Sequence, residues 1–197
     1  MHPRPPILAA LLLAASLLPG PARADAAAGK AKAEPCAACH GEAGISEMEN
    51  IPSLAGQPGQ FLEWQLVYFR MGIRKNEAMD PIVAEMSDED VRDLAAYFAA
   101  LPPPKRPEGA DSDPALSEHG KAVVAQRRCA NCHKDDFAGQ QATARLAFQR
   151  EDYLLKALRD FKSGARTGGG VAAMPETVYP LNDDELRALA HYLARVP

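Results

Sequence analysis

Cys36-Ala37-Ala38-Cys39-His40 and Cys129-Ala130-Asn131-Cys132-His133 are two copies of one pattern, C-x-x-C-H, and the rest of the chain is read outward from them. The order of residues carries the chemistry. Two thiols separated by two residues reach the two vinyl groups of one porphyrin edge. The His directly after the second thiol then lies under the iron and supplies its proximal nitrogen, which makes the pattern an attachment signature for c-type haem. The chain has 4 cysteines and the two motifs use all of them. A disulfide or a thioredoxin-like redox pair accounts for a C-x-x-C but not for a His after each one. A zinc shared by two such pairs expects about 15–20 residues between them, whereas 90 positions separate Cys39 from Cys129. The expected cofactors are two covalently bound haem c groups. Cys36 and Cys39 hold one, Cys129 and Cys132 the other, and His40 and His133 are metal ligands.

Working outward, the motifs belong to an internal repeat. At an offset of 92, Leu54-Ala55-Gly56-Gln57 falls on Leu146-Ala147-Phe148-Gln149, Phe61 on Tyr153, Leu62 on Leu154, Leu66 on Leu158, Phe69 on Phe161 and Arg74 on Arg166. Gly168-Gly169-Gly170 then adds three residues to the second half. At an offset of 95, Met79 falls on Met174, Met86 on Leu181, Leu94 on Leu189 and Tyr97 on Tyr192. A repeat of this extent implies two copies of one small domain. Pro102-Pro103-Pro104, Pro107 and Gly109 lie between them in a stretch without apolar periodicity, which predicts an extended, exposed linker.

Helix signals recur in both halves. Ala26 to Ala38 is rich in Ala and Lys and leads into the first motif; Ser117 is the expected N-cap of a helix running into Cys129. Pro58 opens a helix carrying Phe61, Leu62, Gln65, Leu66 and Phe69, matched by one from about Glu151 to Phe161. Ser87-Asp88-Glu89-Asp90 and Asn182-Asp183-Asp184-Glu185 each set a capping residue three before an acid, with acids through the first turn. Leu94 and Phe98, and Leu189 and Leu193, share one face at i, i+4. No segment alternates as a strand. The expected fold class is all-α, with two tandem haem domains.

The sixth ligand decides what the iron can do. Met174 is the only methionine after the linker, and it stands eight positions before Asn182. Met48, Met71, Met79 and Met86 compete in the first half, and only Met79 stands eight before its N-cap, Ser87. Met71 and Met86 read as core or helix-staple residues. Met79-Asp80-Pro81 and Met174-Pro175 both read as loops aimed across a pocket, which makes Met79 and Met174 the candidate axial ligands. His plus thioether closes both faces of the iron and favours single-electron transfer over oxygen or peroxide chemistry. The Pro52 carbonyl is placed to accept the His40 ring proton, with Ala144 at the equivalent place. Arg74, Lys75 and Arg166 are candidate propionate partners or ordinary surface charge. Trp64, Tyr97 and Tyr192 read as core, and His119 and His191 as surface or core-edge residues.

The first 24 residues read as an address. A basic start precedes a twelve-residue apolar run, Ile7 to Leu18, shorter than the ~20 residues of a membrane span. Ala22-Arg23-Ala24 fits an A-x-A site, so a secretory signal peptide cut after Ala24 is expected, with the periplasm as the compartment and no transmembrane segment in the mature chain. Loss of Arg4 and Arg23 leaves 20 basic against 26 acidic residues, net −6. Residues 25–101 carry net −7 and residues 116–197 net +2, a dipolar distribution that orients encounters with a charged partner. Nucleic acid is not an expected partner of such a chain. The expected units are signal peptide 1–24, haem domain 25–101, linker 102–115 and haem domain 116–197.

The two C-x-x-C-H motifs, Leu54-Ala55-Gly56-Gln57, and Met79 leading into Met86-Ser87-Asp88-Glu89-Asp90 resemble the di-haem cytochrome c4 family over essentially the whole mature chain. Lys134, Phe148 and Ala144 stand in the second half where the first has Gly41, Gly56 and Pro52. The resemblance implies two class I cytochrome c domains related by a pseudo-twofold, with propionates close together across the interface. It also implies a mobile electron carrier, not an enzyme, working between a quinol-oxidising complex and a terminal oxidase or other periplasmic acceptor. The alternative is the haem subunit of a larger oxidoreductase, such as a flavocytochrome or a periplasmic dehydrogenase. A di-haem peroxidase needs an open iron, against which the two methionines argue.

Overall fold

The computed structural model describes residues 24–167 and 173–196. The expected signal peptide up to Arg23 and the Gly168-Gly169-Gly170 insertion lie outside the described residues. Within them the chain is helical, with one isolated bridge between Gln140 and Thr143 and no strand. The first half contains α1 (Ala26–Lys32), α2 (Glu34–His40), α3 (Gly59–Arg70), α4 (Met79–Val83) and α5 (Asp88–Ala100). The second contains α6 (Pro114–Arg127), α7 (Ala130–His133), α8 (Glu151–Ser163), α9 (Ala173–Val178) and α10 (Asp183–Leu193). The two lists match element for element, as the repeat requires.

Each half is closed by its first helix crossing its last, α1 on α5 and α6 on α10. One glycine at each crossing permits the approach. A Cβ on Gly29 would stand 2.0 Å from the Asp93 carbonyl oxygen, and one on Gly120 would stand 2.1 Å from that of Ala188. Both last helices begin with reciprocal capping boxes, Ser87 with Asp90 and Asn182 with Glu185, which satisfy N–H groups the helix cannot bond internally. Leu181, the residue before Asn182, and Leu186 are both fully buried in one cluster, a hydrophobic staple that sets how the chain enters α10. Leu62, Leu94 and Phe98 centre the first core; Leu154, Leu158, Leu189 and Leu193 centre the second.

Several expectations are corrected. Asp113, not Ser117, caps α6, with Pro114 in its first turn, where no N–H is needed. The helix therefore starts inside the segment expected to be linker, and it ends at Arg128 in a left-handed turn before the motif. Met79 and Met174 sit in short helices, not loops. Asn76 accepts from the N–H groups of Ala78 and Met79 at 3.1 and 3.0 Å and starts the turn of α4, and both Pro81 and Pro175 fall in a first turn, which tolerates proline. Met71 is 65 % exposed and Trp64 43 % exposed, so neither is core; the Trp64 ring covers Tyr68 at a centroid distance of 5.6 Å instead.

Candidate functional site

A cavity of about 490 Å³ runs between the halves and is lined by both motifs, by Met79 and Met174, and by the apolar faces of α3, α5, α8 and α10. The four thiols are unbridged. In each half the helix bearing the motif ends on the motif His and the chain turns sharply, through Gly41 at φ 81° or Lys134 at φ 69°. The chain then returns a carbonyl to the ring. His40 Nδ1 donates to the Pro52 carbonyl at 2.8 Å and His133 Nδ1 to the Ala144 carbonyl at 2.8 Å. The proline-to-alanine change between the halves is therefore without effect on this bond, because the acceptor is main chain. Burial pushes both imidazoles below their ordinary pKa, outweighing the carbonyl that favours the charged ring. Each ring is neutral at pH 7, with its proton on Nδ1 and its Nε2 lone pair available. Burial likewise raises the Cys36 and Cys129 thiols.

The halves are joined around this cavity by bonds that exchange under the repeat. The Gln57 side chain takes the main chain of Arg145, accepting from its N–H at 2.9 Å and donating to its carbonyl at 2.9 Å. The Gln149 side chain does the same to Ser53, at 2.8 Å in both directions. Gln57 and Gln149 are repeat equivalents, as are Ser53 and Arg145. Arg74 and Arg166, also equivalent, both donate to Gln65 Oε1, at 2.7 and 2.8 Å, and each lies over the Phe at its own position, Phe69 or Phe161, at 4.4 and 4.5 Å. Arg74 further reaches the Tyr153 hydroxyl at 3.3 Å. Burial pushes that phenol up, but the two guanidinium charges outweigh it and bring it down to about 8. Among the described residues, the Nε groups of Arg127, Arg145 and Arg166 are buried without a partner, and all three side chains line the cavity.

This arrangement fits an iron porphyrin in each half. Paired thiols, a neutral imidazole held by its far nitrogen and a thioether surround apolar space, and unpaired guanidinium donors match carboxylate side arms. The structure brings all eight residues singled out by the motifs and the methionine register to one cavity. Arg74 and Arg166 are there too, whereas Lys75 and His119 are exposed. His191 is a miss: it is 3 % exposed, with Nδ1 3.1 Å from Glu151 and Nε2 2.9 Å from Asp111 in the linker. The cross-domain role of Gln57 and Gln149 was also not read from the sequence, although their repetition in register was visible.

Residues 117–197 match the family model described as cytochrome c, and residues 23–98 match that of subunit III of cbb3-type cytochrome c oxidase. Cytochrome c4 from Azotobacter vinelandii is 33 % identical over 87 % of this chain and 89 % of its own. A thiosulfate dehydrogenase electron acceptor from Thiomonas intermedia is 29 % identical over 89 % of this chain and 85 % of its own. The crystal structure of reduced recombinant cytochrome c4 from Pseudomonas stutzeri superposes with a TM-score of 0.78 at 32 % identity, covering 87 % of this chain and 98 % of that one.

Proposed function

The chain belongs to the cytochrome c4 family, and on that footing we propose how its own residues hold its cofactors and with what it exchanges electrons. It is an electron-transfer protein with two covalently bound haem c groups, one in each half. In our reading Cys36 and Cys39 tether the first and Cys129 and Cys132 the second, within haem domains 25–101 and 116–197. His40 and His133 would offer Nε2 to the metal, their rings fixed in tautomer and angle by the Pro52 and Ala144 carbonyls. Met79 and Met174, in the first turns of α4 and α9, would offer their thioethers to the same metals. Haem when bound supplies a one-electron ferric–ferrous couple. The protein's part would be to hold the metal with these imidazole and thioether side chains, exclude water with the leucine and phenylalanine walls, and meet the carboxylate side arms with Arg74, Arg127, Arg145 and Arg166.

The observation that carries this reading is that Met79 and Met174, equivalent under the repeat, line the same cavity as the two motifs. The exported chain, cut after Ala24, works in the periplasm between a quinol-oxidising complex and a terminal oxidase or other acceptor. No helix among the described residues is long and apolar enough to cross a membrane. The test is the optical spectrum of the dithionite-reduced protein before and after carbon monoxide. No change is expected; a shift accounting for one haem overturns one methionine assignment.

A second reading is favoured by the similarity to the thiosulfate dehydrogenase electron acceptor. In it the protein takes electrons from a periplasmic dehydrogenase, as a dedicated partner or haem subunit. Purified dehydrogenase plus its substrate then reduces both haems within the enzyme's turnover time, and the protein co-elutes with the enzyme.

A further inference from the structure

Asp93 lies in the middle of α5 at 2 % exposure and does not line the cavity that holds the motifs. Its Oδ2 accepts from Lys32 Nζ at 2.7 Å and its Oδ1 from the main-chain N–H of Asp25 at 2.8 Å. The repeat shows that the fold does not require a carboxylate here. The register that puts Leu94 on Leu189 puts Asp93 on Ala188, and the register that puts Gly29 on Gly120 puts Lys32 on Val123; Ala188 and Val123 are 0 % and 2 % exposed. The second half thus buries two apolar side chains at the positions where the first has a buried Asp93 and a partly exposed Lys32, whose Nζ is shared between Asp93 and Asp90 at 2.7 and 2.8 Å. A buried carboxylate loses solvation and is retained where charged partners replace it. The first half differs in one further respect: the expected cut falls between Ala24 and Asp25, at the nitrogen that rests on Asp93.

We propose that Asp93 is the receptor for the α-ammonium group created at Asp25 when the signal segment is removed, so that processing itself locks α1 onto α5. The inference rests on the exported, processed reading above. In the cut, catalysed by a signal-cleaving protease, water adds across the Ala24–Asp25 amide. Ala24 leaves as a carboxylate holding the water's oxygen, and the Asp25 nitrogen keeps its hydrogen, gains both of the water's and becomes an ammonium. Before the cut Asp93 Oδ1 accepts from an amide dipole; after it, from a full positive charge, so a charge–dipole bond becomes an ion pair. Asp25 is then used at both ends. Its carboxylate accepts from the N–H groups of Ala27 and Ala28 and caps α1, while its nitrogen ties that cap to α5. Only Ala33 separates α1 from α2, so the lock also fixes the helix that carries Cys36, Cys39 and His40.

The test uses the exported, haem-loaded protein. Its intact mass is expected to correspond to a chain starting at Asp25. Any other start overturns the processing reading and this assignment with it. With Asp25 established, the α-amine of the wild type is expected to react with an acylating reagent at pH 7 about tenfold more slowly than that of Asp93→Asn, because a paired amine keeps its proton. Equal rates overturn the proposal while leaving the processing reading intact. A second variant, in which two alanines inserted before Asp25 remain on the mature chain, does not touch the carboxylate. It is expected to melt several degrees below the wild type; an unchanged midpoint overturns the proposal.

Discussion

Lys134 holds φ 69° and ψ 164°, a backbone region that only glycine occupies without strain, and its equivalent in the first half is Gly41 at φ 81° and ψ 150°. The turn after the motif His is thus forced by the need to bring a carbonyl back to the ring, and the second half accepts the strain. Strain of this kind costs about 1–3 kcal/mol, and glycine's extra chain entropy offsets part of its relief. The Lys134–Asp136 ion pair, at 3.6 Å on the surface, adds little. Lys134→Gly is therefore expected to raise stability by about 1 kcal/mol in chemical denaturation, with the haem spectrum unchanged. The complementary substitution tests ligation. Met174→Ala should make one haem of the two bind carbon monoxide after reduction, while Met71→Ala, at an exposed position, should leave the spectrum of the wild type. The motif cysteines, the histidines and the two methionines stood out in the sequence by residue type and spacing, and the structure gathers them around one cavity; their attachment and ligation roles belong to the proposal above. His191 was not, because its partners Glu151 and Asp111 lie 40 and 80 positions away and no local pattern announces such a pairing.

The elements show where periodicity suffices and where it fails. The caps of α5 and α10 and the leucine faces of α3, α5, α8 and α10 were readable because they rest on neighbours three or four residues apart. The starts of α4, α6 and α9 were not. There Asn76, Asp113 and first-turn prolines begin helices in stretches whose composition reads as loop. The glycines at the helix crossings were equally silent, since only the facing helix explains them. Gly120→Ala places a methyl group against the Ala188 carbonyl, and it is expected to lower stability by about 3 kcal/mol or prevent folding of the second half. Gly72→Ala is the control: no atom lies within 4 Å of its Cβ position, though its φ of 67° carries the ordinary strain. Thermal melts of the two variants separate close approach from backbone strain.

At the scale of the whole molecule, a clasp fastens the linker to the second half and a seam joins the two halves. The clasp is made in the linker: Asp111 binds His191 of α10 and the Ser117 hydroxyl of α6, and Glu151 holds the other face of His191 with Arg195. The Ser117 hydroxyl and the Asp113 N–H hold the Asp111 carboxyl down to about 2, against an ordinary value of about 3.9. Its folded pKa is depressed, so its contribution is present above about pH 3.9 and is lost as the pH falls toward about 2. The melting difference between wild type and Asp111→Asn should accordingly narrow across that window. The seam includes the pair of glutamines beside the Arg166–Gln65 and Arg74–Tyr153 bonds. Because Gln57 grips residue 145 and Gln149 grips residue 53, at these contacts each half offers the other the same small patch, the isologous geometry of a twofold homodimer, whereas the neighbouring Gln65 and Tyr153 have Ala157 and Phe61 as their equivalents. A half severed from its sister would keep that self-complementary patch and find a copy of itself. Joined in one chain, the two patches are tethered at an effective concentration on the order of millimolar, which keeps them satisfied within the molecule and removes a route by which the protein would assemble with its own kind.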